Sequence, residues 1–164
     1  MDERPKIYVM PKVQFHDTLT KNNIDDENVD EFIKIAFISI NDSDGEYYHQ
    51  PLFHRNHHNV LNLWFDDVEH DLEISPTNKG VNSAFSKEQA TKVIEFLESN
   101  KNAKTVLIHC AAGISRSGAV GRVALEYLQG DREQFRINNN QISPNPRVER
   151  MLNEAWRESK QNRR

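Results

Sequence analysis

A chain of 164 residues is long enough for one domain with a proper core and short for two. Its 37% apolar and 28% charged residues are of globular proportions, and 21 basic against 25 acidic side chains leave a net charge of −4. That balance argues against nucleic acid or an anionic membrane as partner, and the single cysteine, Cys110, rules out an intramolecular disulfide and hence a secreted disulfide scaffold.

The opening Met1-Asp2-Glu3-Arg4-Pro5 lacks the apolar segment of a signal peptide, and the run from Ile35 to Ile40 is far too short to span a bilayer. The expectation is a soluble, cytoplasmic, monomeric single domain over residues 1–164. Ile7 to Met10, closed by Pro11, predicts a strand. Residues 16–31 are polar and acidic and predict a loop or a marginal helix. Phe32 to Ile40, β-branched and aromatic, predicts a buried strand that ends in the turn Asn41-Asp42-Ser43-Asp44-Gly45. Val60 to Phe65 predicts another strand, running into Asp66-Asp67.

Ser86 and Gln89 form a capping-box pattern ahead of Ala90, Val93, Ile94 and Leu97, an apolar stripe at helical spacing. Asn100 to Lys104 ends that helix, and Thr105 to Ile108 predicts a central strand. A further helix carries Ala119, Val120, Val123, Ala124, Tyr127 and Leu128 and stops at Gly130. A last one starts near Pro146 and uses Val148, Met151, Leu152, Ala155 and Trp156. Strand and helix alternate, which implies an α/β domain: a central, mostly parallel sheet flanked by helices. Ligands of such sheets sit at the carboxyl ends of the strands, which places Asp66, Asp67 and Cys110 at one edge.

Between the central strand and the next helix the chain reads His109-Cys110-Ala111-Ala112-Gly113-Ile114-Ser115-Arg116-Ser117. Backbone amides of such a loop can converge on one centre and, with the positive end of the following helix, make an anion cradle. Gly113 permits a backbone conformation that bulkier residues resist. Arg116 presents a planar fork matched to two phosphate oxygens. A thiol in that setting shifts from a pKa of ~8.5 to roughly 3.5–7.5, and three such units correspond to about 4 kcal/mol favouring thiolate. Ser117 is placed to hydrogen-bond the sulfur and improve it as a leaving group. A lone cysteine beside a strand is ordinarily a small buried hydrophobe, but five constrained positions in a strand-loop-helix setting argue for a nucleophile.

His-Cys-x-x-Gly-x-x-Arg-Ser resembles the signature of the protein tyrosine phosphatase superfamily, and the Ala-Ala-Gly-Ile-Ser filling looks like its dual-specificity branch. The resemblance runs from about Phe32 to Trp156, with the domain core placed at about 32–158. It implies Cys110 as nucleophile, residues 111–116 as phosphate-binding loop, and His109 as a loop-holding residue without a catalytic role. It also implies a general acid at the end of the Phe65-Asp66-Asp67 segment, where Asp67 is favoured over Asp66, with Asp71 third. Ser143-Pro144-Asn145-Pro146 is similar to the family's Pro-Asn turn. The stretch from Glu69 to Phe85 is longer than that family shows between acid and cysteine and reads as an insertion. His49, His54, His57, His58 and His70 lack separated ligand pairs, so a solvated loop that borders the active site is expected, with no metal and no cofactor. The neutral loop filling points to a phosphorylated protein as substrate. A phospho-binding module without turnover and an RNA 5′-phosphatase are the alternatives.

Overall fold

The computed structural model describes residues 3–43, 51–69 and 83–162. Four strands, β1 (Lys6–Pro11), β2 (Ile35–Asn41), β3 (Val60–Trp64) and β4 (Thr105–Cys110), make one sheet in the order β1-β4-β2-β3, every neighbouring pair parallel. Five α-helices are described with them: α1 (Lys12–Lys21), α2 (Lys87–Ser99), α3 (Arg116–Tyr127), α4 (Arg132–Asn138) and α5 (Pro146–Asn162). The α/β architecture with a central parallel sheet is the expected one. Among the described residues no helix is long and apolar enough to cross a membrane.

Side chains alternate across the sheet and divide its core in two. Ile7 and Val9 of β1, Ile38 and Ile40 of β2, and Val106, Ile108 and Cys110 of β4 face the layer built by α2, α3 and α5. Met10, Phe37 and Leu107 face the other side, where Phe15 and Leu19 of α1 and Phe53 cover them. β1 therefore passes into a helix on one face and β4 into a helix on the other. Connections that leave neighbouring parallel strands in opposite directions open a crevice at the strands' carboxyl ends. Cys110 ends β4 there.

The structure departs from expectation at three elements. The segment predicted as loop or marginal helix from residue 16 holds the second half of α1, which starts at Lys12 with no side-chain cap. Only Phe15 and Leu19 anchor it, one turn apart, so the helical pattern is thin in sequence and tertiary packing decides. Phe15 stacks edge-on to Phe37 and Phe53, with ring centroids at 6.0 and 6.4 Å. The strand predicted from Phe32 begins at Ile35, because Phe32 closes a 3-10 turn over Val29–Glu31.

The third departure is α4, absent from the sequence reading, which covers the open edge of β1. Gln134 exchanges two hydrogen bonds with the Ile7 backbone, at 2.9 and 3.0 Å. Asn139 accepts from Val9 N–H at 2.7 Å and donates to Ile7 carbonyl at 2.8 Å. Side-chain amides thus take the place of a fifth strand and satisfy an edge that would otherwise pair with another chain. β1 and α1 lie before Phe32, so the sheet and its second core begin ahead of the segment that carries the sequence resemblance. The predicted capping box at Ser86 and Gln89 is present, and Ala90, Val93, Ile94 and Leu97 are all buried.

Candidate active site

The loop from Cys110 to Arg116 is shaped by what holds its carbonyls. Cys110 carbonyl accepts from the His109 ring, Ala111 carbonyl from Lys12 N–H, and Gly113 carbonyl from the Gln141 side chain, at 3.0, 3.2 and 3.1 Å. Ile114 and Ser115 carbonyls accept from the amides of Ser143 and Asn145, at 2.9 and 3.0 Å. All these partners lie outside the loop. A planar trans peptide whose C=O points outward turns the following N–H inward. The amides of residues 111, 112, 114, 115 and 116 are thereby aimed toward the centre of the loop.

That centre is Cys110. Its sulfur lies 3.0 Å from Ser117 Oγ and accepts from Gly113 N–H at 3.3 Å. Burial is the largest influence on the thiol and opposes ionisation. It is outweighed by hydrogen bonds from the Ser117 hydroxyl and amide, the charge of Arg116 and the Gly113 amide, so the thiol lies below its ordinary pKa. Gly113 has φ +71°, and a Cβ there would stand 2.3 Å from the Met10 carbonyl carbon. The glycine is required twice over, by dihedral and by the passage of β1.

His109 is fully buried, its ring 4.5 Å from that of Phe15. Nδ1 lies 3.0 Å from the Cys110 carbonyl, which can only accept, so Nδ1 carries the proton. Nε2, 2.6 Å from Ser39 Oγ, then accepts from that hydroxyl. Burial, chiefly, holds the imidazole down to about 4 despite the bond to Cys110. It is neutral at ordinary pH and orients the loop. The unfolded chain takes up this proton near pH 6.5 and the folded one only near 4, so the native state loses stability as pH falls between those values. The loss is roughly 3 kcal/mol. Nitrogen NMR of the imidazole is expected to show a neutral Nδ1–H tautomer at pH 5; a titration midpoint near 6.5 would refute this.

The paired aspartates part company. Asp66 accepts from Ser43 N–H, Ser43 Oγ and Ser83 N–H at 3.0, 2.6 and 2.7 Å, a staple that ties three segments together. Asp67 is exposed, and its Oδ1 accepts from Ser115 Oγ at 2.9 Å and Asn145 Nδ2 at 2.8 Å, which holds it against the 110–116 loop. Asn145, fully buried, also caps α5 through Oδ1, which accepts from the Arg147 and Val148 amides. The Pro-Asn turn singled out in the sequence thus positions both the loop and Asp67. Asp71 and residues 70–82 of the long stretch, with His49 and His70, lie outside the described residues.

Two partners of Arg116 were not foreseen. Nη1 donates to Asp42 Oδ1 and to Phe65 carbonyl, both at 2.7 Å. Asp42 sits in what the sequence marked only as a turn, and no local pattern pairs it with a residue 74 positions away. Asp42 also lines, with Lys12, Val13, His16, Leu52 and Ala111, a cavity of about 440 Å³ beside the 110–116 loop.

His54 and His58 are exposed, as expected of a solvated loop, but the loop does not border Cys110 and one of its histidines is buried. His57 is almost wholly buried, with Nε2 2.8 Å from Asp26 and Nδ1 3.1 Å from Asp30. It bridges to Val60 at the start of β3, at the end of the sheet opposite Cys110. Among the described residues no three His, Cys, Asp or Glu side chains group as metal ligands.

No protein-family model and no curated protein matches the chain. Among solved structures it is similar to the human tyrosine phosphatase-like serine/threonine/tyrosine-interacting protein, with a TM-score of 0.52 and 20% identity over 91% of this chain and 89% of that one. Tk-PTP in its active form and DUSP15 match at TM-scores of 0.46 and 0.48, with 20% and 18% identity, over 94% and 98% of this chain and 92% and 90% of theirs. The first of these likenesses establishes a tyrosine phosphatase-like fold.

Proposed function

We propose that this chain is a cysteine-dependent phosphatase that hydrolyses phosphate monoesters through a cysteinyl-phosphate, with phosphorylated protein as substrate. The observation that carries the reading is the set of outward-held carbonyls around a thiol of lowered pKa, flanked by a buried arginine. Such a centre attracts a dianion and offers it a nucleophile.

In the first step the Cys110 thiolate attacks phosphorus and an S–P bond forms. The P–O bond to the leaving group breaks, and Asp67 gives that oxygen a proton. Arg116 and the loop amides hold the three equatorial oxygens, where charge develops. In the second step water gives a proton to Asp67 and its oxygen bonds to phosphorus, while the S–P electrons return to sulfur. Ser117 stabilises the returning thiolate. Asp67 Oδ1 is engaged with Ser115 and Asn145, which leaves Oδ2 to carry the proton. His109 takes no proton.

The neutral side chains of Ala111, Ala112 and Ile114 support a protein substrate over a highly charged lipid headgroup, and the cavity beside Ala111 has room for a substrate side chain next to the phosphorylated one. Binding without turnover is the second reading, because the fold neighbour at TM-score 0.52 is named phosphatase-like and interacting.

Aryl phosphate hydrolysis across pH tests the proposal. Wild type is expected to give a bell-shaped kcat/KM profile, its rising limb at a pH below that of an ordinary thiol. Asp67→Ala should lose the falling limb and roughly 10²-fold or more of the rate, as is usual for a general acid. Asp66→Ala should keep the limb. Folded wild type that binds phosphate without turnover would favour the binding module instead.

A further inference from the structure

We propose that a second cavity beside the loop, of about 520 Å³ between β1, α4 and residues 112–114, takes the stretch of substrate protein next to the phosphorylated residue and selects for an uncharged one. This rests on the phosphatase reading of the loop. The cavity opens at Ala112 and Ile114, apart from the one at Ala111. Ile114 presents an apolar side chain, 39% exposed, at its rim, and Tyr8 supplies an aromatic wall. Gln14, Asn138 and Gln141 bring exposed amides, each able to donate and to accept. Among the described residues that line it none is charged, in a chain of which 28% is charged. The cavity at Ala111 differs, since Lys12, His16 and Asp42 line it. A phosphorylated residue held at Cys110 thus has a charged flank on one side and a neutral one on the other.

The neutral walls are fixed before a substrate arrives. Asn139, only 2% exposed, holds the Val9 amide and the Ile7 carbonyl. Gln141 Nε2 donates to the Val9 and Gly113 carbonyls at 2.9 and 3.1 Å. These bonds occupy the outer edge of β1, and Pro11 has no N–H, so a substrate does not add to the sheet as a strand. Recognition falls to side chains. An uncharged residue packs on Ile114 and Tyr8 and exchanges hydrogen bonds with the amides. A carboxylate or an ammonium would give up water and meet no opposite charge.

The test compares phosphotyrosyl peptides with alanine at every flanking position against versions carrying one aspartate, one lysine or one asparagine before or after the phosphotyrosine. Each kcat/KM is taken relative to that of an aryl phosphate, which has no flanking chain. On one side of the phosphotyrosine, aspartate and lysine should both lower the ratio by about tenfold, while asparagine should not. Asn138→Lys should then raise the ratio for the aspartate peptide and lower it for the lysine peptide. Gln14→Lys, at the same rim, stands in if that variant does not fold. Equal ratios for alanine, aspartate and lysine at every position would overturn the inference, and so would a preference that a lysine at the rim leaves unmoved. A wild type that turns over no substrate defeats the enzyme reading instead. Calorimetric titration of the same peptides then decides the cavity: tighter binding of the neutral peptides supports it, and equal affinities overturn it.

Discussion

Replacing Cys110 by serine is expected to abolish phosphatase turnover, by roughly 10⁴-fold or more, while leaving phosphate binding nearly intact. The two side chains have the same shape, and the loop around them is held from outside. Lys12, Gln141, Ser143 and Asn145 secure its carbonyls, and none of these bonds involves the sulfur. What serine lacks is ionisation. The thiol is lowered although its burial works against this, because Ser117, Arg116 and the Gly113 amide all favour the anion. An alcohol starts far too high for the same contacts to deprotonate it. Single-turnover kinetics and phosphate titration of Cys110→Ser check both halves. Residual turnover within tenfold of wild type would mean that another group is the nucleophile.

Gly113→Ala is expected to be the most damaging single methyl in the loop. At φ +71° an alanine is strained by about 1–2 kcal/mol, and the added carbon meets backbone, not a side chain that can move. Met10 carbonyl carbon, Pro11 nitrogen and Met10 oxygen stand at 2.3, 2.4 and 2.8 Å from it. Relief requires β1 and the 110–116 loop to separate. With overpacking costs of similar size, the total is roughly 2–5 kcal/mol. Urea unfolding should show a lower midpoint with unchanged slope, and phosphate affinity should drop because the amides of residues 114–116 lose their convergence. An unaltered midpoint would show that the loop yields more easily than its backbone contacts imply.

The two variants probe parts of the site that differ in how they could be read. Cys110, Gly113, Arg116 and Ser117 stand within eight residues, and a short window displays what each can offer: a thiol, a positive φ, a guanidinium fork and a hydroxyl. The helix from Ser86 was equally legible, since its cap and stripe are local. α1 was not, because Phe15 and Leu19 are too few to mark a face and the helix owes its stability to Phe37, Phe53 and His109 across the chain. α4 was missed for a related reason. Its polar residues Gln134 and Asn139 look like a solvated surface, and only the open edge of β1 gives them their role. The histidines at 54–58 lead into the amino end of β3, whereas Cys110 ends β4 at its carboxyl end, and in a parallel sheet these two ends lie opposite each other.

The sequence by itself determined the α/β alternation, the strand-loop-helix passage that carries Cys110, Gly113 and Arg116, and the placement of Asp66 and Asp67 at the same sheet end as Cys110. These are local properties, set by side-chain type and by spacings of one turn or one strand. Tertiary structure gave Asp66 and Asp67 different partners: three donors from Ser43 and Ser83 engage one carboxylate, while Ser115 and Asn145 draw the other, which the sequence resemblance already favours, to the loop. It alone brought Asp42 to Arg116. Hydrogen bonds between residues tens of positions apart exist only once the strands have fixed their register, and no one-dimensional pattern records them.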